Sequence, residues 1–186
     1  MTGLDQHVVL AAGDGSLGPL LRVADDRLAP GAGYGRHAHR AVDVVAVVLA
    51  GALRHDWTGG AALGEGDVAV LRAGAGLEHD ERAGDGGARV LQCYLRGAAP
   101  TDPPSHAVQR SAAGWVDLDR PDARLFLARL DAGGSAVLPA GLVVLADSAG
   151  ARAEVGSPSG RVVTAERPLT VLVWQLDTTR PAWATG

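Results

Sequence analysis

Lysine, asparagine and isoleucine are missing from this chain, and phenylalanine, methionine and cysteine occur once each. Without lysine there is no Schiff-base chemistry, no pyridoxal phosphate anchor and no Walker A phosphate loop. Without asparagine there is no N-glycosylation acceptor. The single cysteine, Cys93, cannot close an internal disulfide, which fits a reducing compartment and predicts a cytoplasmic protein. Its apolar strand setting reads as a small buried hydrophobe rather than a nucleophile. Long apolar runs are also absent: the segment Val42–Ala50 is interrupted by Asp43 and is too short to span a bilayer. Met1–Asp5 lacks the basic and apolar regions of a secretory leader, so none is expected. All 17 basic residues are arginine and the net charge is −4, with no basic stripe to follow a phosphate backbone. Neither a direct nucleic-acid partner nor a membrane partner is expected.

What remains is a β-type pattern. With only one Phe and two Tyr, the core must be built from Val, Leu and Ala. Short apolar runs such as Leu20–Ala29, Ala41–Leu49, Val68–Ala73, Arg89–Leu95, Ala123–Asp131 and Leu169–Leu176 alternate with glycine turns, among them Gly64-Glu65-Gly66-Asp67 and Asp85-Gly86-Gly87. Many short strands with such punctuation predict an all-β sandwich or barrel. One short helical turn is expected over Pro181–Ala184. Pro100, Pro103 and Pro104 mark a linker, dividing the chain into residues 1–97, a connection over 98–114 and a second β unit over 115–186. No histidine follows the linker, so the second unit cannot supply a histidine metal site and is expected to play a structural part.

The chemistry concentrates in the first unit. His37 and His39 lie two apart in one extended stretch, and His79 and Glu81 two apart in another. Alternate strand residues share a face, so each pair points one way. An isolated His-x-His would read as two surface histidines. Two matched pairs facing each other instead place three imidazoles and a carboxylate around a point, a ligand set for a divalent transition metal with positions left open. Asp43, on the face of His39, reads as a carboxylate that orients a ligand imidazole or lines the pocket. Glu78 and Asp80 read as solvated, and Arg36 and Arg40 as pointing away from the metal into ion pairs. His55 reads as an exposed strand residue. His7 and His106 have no partner pattern, and Tyr34 is expected in the cavity wall or the core.

These segments resemble a cupin, and more narrowly a pirin-type bicupin. The stretch from Gly31 through His37-Ala38-His39 to Asp43 and Gly51 resembles the first cupin motif. The stretch Gly66-Asp67 through Gly74-Ala75-Gly76 to His79-Asp80-Glu81 resembles the second motif in its pirin form. Val90–Leu95 stands where the family has its following strand. The chain departs from the family in carrying Ala38 for proline, Asp43 for glutamate and Asp80 for serine. The resemblance implies a jelly-roll β-barrel in two tandem cupin units, the C-terminal one shortened and without metal ligands. It implies one divalent metal, Fe first, with Ni, Mn, Co, Cu or Zn also accommodated, on His37, His39, His79 and Glu81. The implied activity is that of a quercetin 2,3-dioxygenase acting on a small aromatic substrate, with Glu81 as ligand and catalytic base and Val45, Val47, Val70 and Leu91 in the apolar wall. The alternative it carries is a non-enzymatic metal- or redox-responsive regulator working through protein partners.

Overall fold

The computed structural model describes residues 3–58, 60–157 and 159–179. Among them there are fifteen strands and no helix. The helical turn expected at Pro181–Ala184 lies outside the described residues. The strands are β1 (Leu4–Ala11), β2 (Leu20–Leu28), β3 (His37–His39), β4 (Val42–Asp56), β5 (Ala61–Gly64), β6 (Val68–Arg72), β7 (Leu77–Arg96), β8 (Ser105–Gln109), β9 (Gly114–Val116), β10 (Ala123–Leu130), β11 (Ser135–Leu138), β12 (Gly141–Asp147), β13 (Gly150–Ser157), β14 (Arg161–Thr164) and β15 (Leu169–Leu176). The class is the all-β, jelly-roll type that the sequence predicts. The described residues contain no helix long and apolar enough to cross a membrane.

Two compact units divide the chain. The first comprises Met1–Gly13 and Leu20–Ser111, the second Asp14–Pro19 and Ala112–Gly186. The segment expected as a linker over 98–114 therefore contains a strand of the first unit, since β8 pairs antiparallel with β6 from Val68↔Gln109 to Arg72↔Ser105. The prolines at 100, 103 and 104 stop short of this strand, so the polar stretch ends sooner than its composition suggested. Asp14–Pro19 is the other departure. Gly18 has φ +57, and a Cβ there would lie 2.2 Å from the Asp177 carbonyl, so only glycine lets the segment lie against β15's exit.

In the first unit the strand order is β1-β2-β7-β4-β6-β8, with β3 on β7 and β5 on β4. The unit is organised by two long strands, β4 of 15 residues and β7 of 20. The turn expected at Asp85-Gly86-Gly87 is instead part of β7. Its pairing with β4 jumps from Gly51↔Ala88 to Leu53↔Ala83, so residues 84–87 bulge from the ladder. Such a bulge bends a strand without ending it. Gly51 has φ +72, and a Cβ there would lie 2.2 Å from the Gly87 carbonyl, so the bend requires glycine. Beyond it, the outer halves of β4 and β7 run on to carry His55, His79 and Glu81.

The core inside these strands is built from Leu28, Ala46, Val48, Leu53, Leu63, Ala69, Ala83 and Val90. Small and branched aliphatics do the filling, as the scarcity of aromatics requires. Gly66 (φ +91) turns β5 into β6, and Asp67 fixes this corner. Its Oδ2 accepts from the Gly64 N–H at 2.9 Å and from Arg110, and its Oδ1 accepts from the Ser111 N–H at 3.0 Å. In the second unit, β13-β12-β15-β10-β9 form one sheet and β11 pairs with β14. Leu138, Val143, Leu145, Val163, Val171 and Val173 form its core.

Candidate metal centre

The short strand β3 pairs antiparallel with the start of β7, with His37 directly opposite His79 and His39 opposite Leu77. Gly74 sets up this meeting. Its φ is +50, a Cβ would lie 2.1 Å from the Asp102 carbonyl, and its own carbonyl accepts from the Ala41 N–H at 2.9 Å. The loop before β7 is thereby tied to the end of β3.

His37, His39 and His79 converge. His37 Nε2 lies 2.9 Å from His39 Nε2 and 3.1 Å from His79 Nε2. These three form the one group of three or more metal-ligating side chains, each offering an atom within 4.8 Å of the others, among the described residues. His37 Nδ1 lies 2.7 Å from the Gly35 carbonyl, which can only accept, so Nδ1 carries the proton and donates. In that tautomer the lone pair is at Nε2, aimed into the cluster. A backbone carbonyl fixing the tautomer of a ligand imidazole is a recurrent support of metal sites.

Electrostatics keep the cluster ready for a cation. Burial, and then the neighbouring His37 ring, hold His39 below the usual imidazole range. Burial, with the His37 and His39 rings beside it, lowers His79 to about 4. Neutral imidazoles are the metal-binding form. The spacing fits as well: metal–nitrogen bonds of about 2.1 Å at right angles separate adjacent nitrogens by about 3.0 Å. The donor set therefore suits a divalent transition metal.

Glu81 is buried at 3 % exposure but stands outside the three-nitrogen group. Its Oε2 accepts from Gln92 Nε2 at 2.6 Å. Its Oε1 lies 3.1 Å from His55 Nε2 and 3.9 Å from His79 Nδ1, the nitrogen of that ring facing away from the cluster. Burial raises the Glu81 carboxyl to about 8, against the opposing pull of the Gln92 hydrogen bond. A buried carboxyl in that range can hold or accept a proton near neutrality.

Other residues fall differently from their sequence reading. His55 is not an exposed strand residue: it is 1 % exposed, opposite Glu81 in the β4–β7 ladder. His106 is its partner, with Nε2 2.9 Å from His55 Nδ1. Neither role was visible locally, because the two are 51 residues apart and meet only through β8. Asp80 is buried and pairs with Arg82 at 2.8 Å rather than standing in solvent. Glu78 is exposed and meets Arg36 at 3.3 Å, in keeping with expectation. Asp43 is buried, and its Oδ2 lies 3.4 Å from the Ala98 N–H. Tyr34 donates to Asp26 Oδ2 at 2.7 Å, with its ring 6.4 Å from that of His37.

The expected apolar wall needs correction. Gln92, which touches Glu81, pairs with Ala46 and Ala24, whereas Leu91 pairs with Val47 and Asp25. Neighbours along a strand face opposite ways. Leu91 and Val47, and by the same alternation Val45 and Val70, therefore lie on the face away from Glu81. The residues sharing its side of these strands include Val44, Ala46, Val48, Val90 and Tyr94.

Residues 10–95 match the Pirin family model, a span that includes all three clustered histidines, His55 and Glu81. The match takes in just under half of the chain. The nickel(II) complex of the Escherichia coli pirin YhhW shares the fold with a TM-score of 0.72 at 17 % identity, over 95 % of this chain and 93 % of that one. Acinetobacter baumannii quercetin 2,3-dioxygenase aligns with a TM-score of 0.69 at 18 % identity, over 97 % of this chain and 83 % of that one. In sequence, a Zymomonas mobilis protein provisionally designated a quercetin 2,3-dioxygenase is 41 % identical over 59 residues. That match covers 31 % of this chain and spans only 25 % of the relative's length. The structural likenesses are ones of fold; the three-imidazole cluster is the feature of this chain's own chemistry.

Proposed function

We propose that this pirin-like cupin holds one divalent transition metal, Fe(II) in the first place, and acts as a dioxygenase on flavonol-type aromatics. The observation that carries the reading is the convergence of the His37, His39 and His79 Nε2 atoms at 2.9 and 3.1 Å. His37, His39 and His79 hold the metal, and Glu81, beside the three-nitrogen group rather than in it, is the carboxylate that would complete the set as fourth donor and serve as the proton acceptor. When bound, the metal supplies a Lewis-acid centre at which an acidic hydroxyl and dioxygen can be brought together. Glu81 takes the proton of the substrate hydroxyl, a role suited to a buried carboxylate beside the metal. Gln92 Nε2 donates to Oε2 and His55 Nε2 lies 3.1 Å from Oε1, so the carboxylate is set between two buried polar side chains. Tyr94, half-buried with its ring 6.1 Å from that of His39, offers an aromatic face beside the cluster, suited to an aromatic ring. Related proteins named as quercetin dioxygenases support the substrate class. The single buried thiol of Cys93 supports a cytoplasmic location.

The test is anaerobic loading with Fe(II), Ni(II), Co(II), Mn(II) or Cu(II), then exposure of a flavonol panel to dioxygen, following flavonol absorbance and carbon monoxide. Turnover that disappears in His37→Ala and Glu81→Gln is expected. Metal binding without turnover for any metal and any flavonol refutes the dioxygenase and leaves the regulatory alternative.

A further inference from the structure

A line of polar side chains, buried at Gln92, Glu81 and His55 and half-buried at His106, leads away from the metal centre. Gln92 Nε2 meets Glu81 Oε2, Glu81 Oε1 lies 3.1 Å from His55 Nε2, and His55 Nδ1 lies 2.9 Å from His106 Nε2. His55 and Gln92 are 1 % and 0 % exposed, so water cannot stand in for these partners. Glu81 Oε1 and His55 Nε2 are both buried, and neither makes an aligned hydrogen bond among the described residues, to each other or to any other group. They lie 3.1 Å apart, within reach of a hydrogen bond that a small rotation would align, and an unmet buried polar atom is costly. Behind them, His106 is packed 6.0 Å from the Trp57 ring, which restrains the outer end of the line.

Resting on the metal-site reading above, we propose that His55, braced by His106, is the positioning residue for Glu81. The argument is one of constraint. A glutamate has three rotatable side-chain bonds, and the Gln92 bond alone fixes one oxygen while leaving the carboxylate free to pivot about it. A second hold at Oε1 stops that pivot. The ladder supplies it, because His55 and Glu81 are direct cross-strand partners and so share a face at close range. The His55 ring is in turn kept from flipping by the bond at Nδ1: reversing the ring would break both contacts at once. Outer groups of this kind, which touch no metal, set the orientation and donor strength of those that do, and their loss commonly weakens metal binding by about 10–100-fold.

The experiment uses the full chain stripped of metal and titrated with Co(II), reading affinity by calorimetry and ligand geometry from the visible d–d spectrum. Wild type and Glu81→Gln set the two reference spectra. His55→Leu is expected to bind Co(II) about 10–100-fold more weakly, with its spectrum moved toward that of Glu81→Gln. His55→Gln, which restores an N–H near Glu81, is expected to recover the wild-type spectrum and most of the affinity. His55→Leu matching wild type in both readouts overturns the proposal, as does His55→Gln being no better than His55→Leu, because then only ring volume matters. If circular dichroism shows that His55→Leu does not fold, His106→Phe decides. A weaker shift in the same direction supports the proposal, and unchanged affinity and spectrum overturn it. A wild-type protein that binds no Co(II) refutes the metal site itself and the proposal with it, a result distinct from the others.

Discussion

If three imidazoles hold the metal, its binding must appear as stability, and the size of the effect can be worked out. A ligand that binds only the folded chain stabilises it by about 2.7 kcal/mol when its free concentration is about 100 times its dissociation constant. For a chain of 186 residues, each kcal/mol moves the melting temperature by about 2–4 °C. Ni(II) at that excess should therefore raise the melting temperature by about 5–11 °C. His37→Ala removes the ring whose Nε2 is nearest to both of the others, at 2.9 and 3.1 Å, and leaves two nitrogens. His37 is half-buried on a three-residue strand, so the metal-free protein should lose no more than about 1 kcal/mol. The nickel-dependent rise should nevertheless fall below about 2 °C. His7→Ala, an exposed histidine on β1, should keep the full rise and controls for adventitious binding. Differential scanning calorimetry with and without Ni(II), after chelator treatment, reads all three. A His37→Ala protein with the full nickel-dependent rise would refute the reasoning.

Gly51→Ala forces a Cβ to within 2.2 Å of the Gly87 carbonyl at φ +72, and should cost more than about 3 kcal/mol in urea denaturation; a cost below about 1 kcal/mol would show that the bend does not need glycine. Asp67→Ala removes the acceptor of the Gly64, Ser111 and Arg110 donors and should cost about 2–3 kcal/mol at pH 7. Burial works to raise the Asp67 carboxyl, but those donors together hold it below its ordinary 3.8. The charged carboxylate's contribution is therefore fully present above that value and fades as pH falls below it. The gap between wild type and Asp67→Ala should shrink below pH 3.8, and a gap that widens there would contradict the sign. Arg89 makes a bidentate pair with Asp25 at 2.8 and 2.7 Å. Arg89→Leu leaves that carboxylate buried and stripped of this partner, for an expected loss of about 3–5 kcal/mol, which equilibrium denaturation would check against an Asp25→Asn, Arg89→Leu double variant that should recover part of it.

The parts of the site legible in the sequence are the local ones. His37 and His39, like His79 and Glu81, sit two residues apart, and the period of a strand alone sends each pair to one face. That the three imidazoles meet depended on β3 pairing with β7, which the glycines at 74 and 76 permit. Glu81 behaved differently because its surroundings are not local: Gln92 is 11 residues away, and His55 faces it across the ladder. His55 reads as exposed from its immediate neighbours, and it is buried because β4 runs through Gly51 and pairs with β7 as far as Asp56. Residues 85–87 have the composition of a turn but bulge within β7 without ending it. Composition misplaced the linker for a related reason, since Ser105–Gln109 carries little apolar signal and becomes a strand by pairing with β6.

X-ray absorption at the metal edge of the nickel-loaded protein counts the imidazoles bound to the ion. Three ring ligands at about 2.0–2.1 Å, falling to two in His37→Ala, are predicted. Fewer than three in the wild type, or a count unchanged by that substitution, would contradict the site.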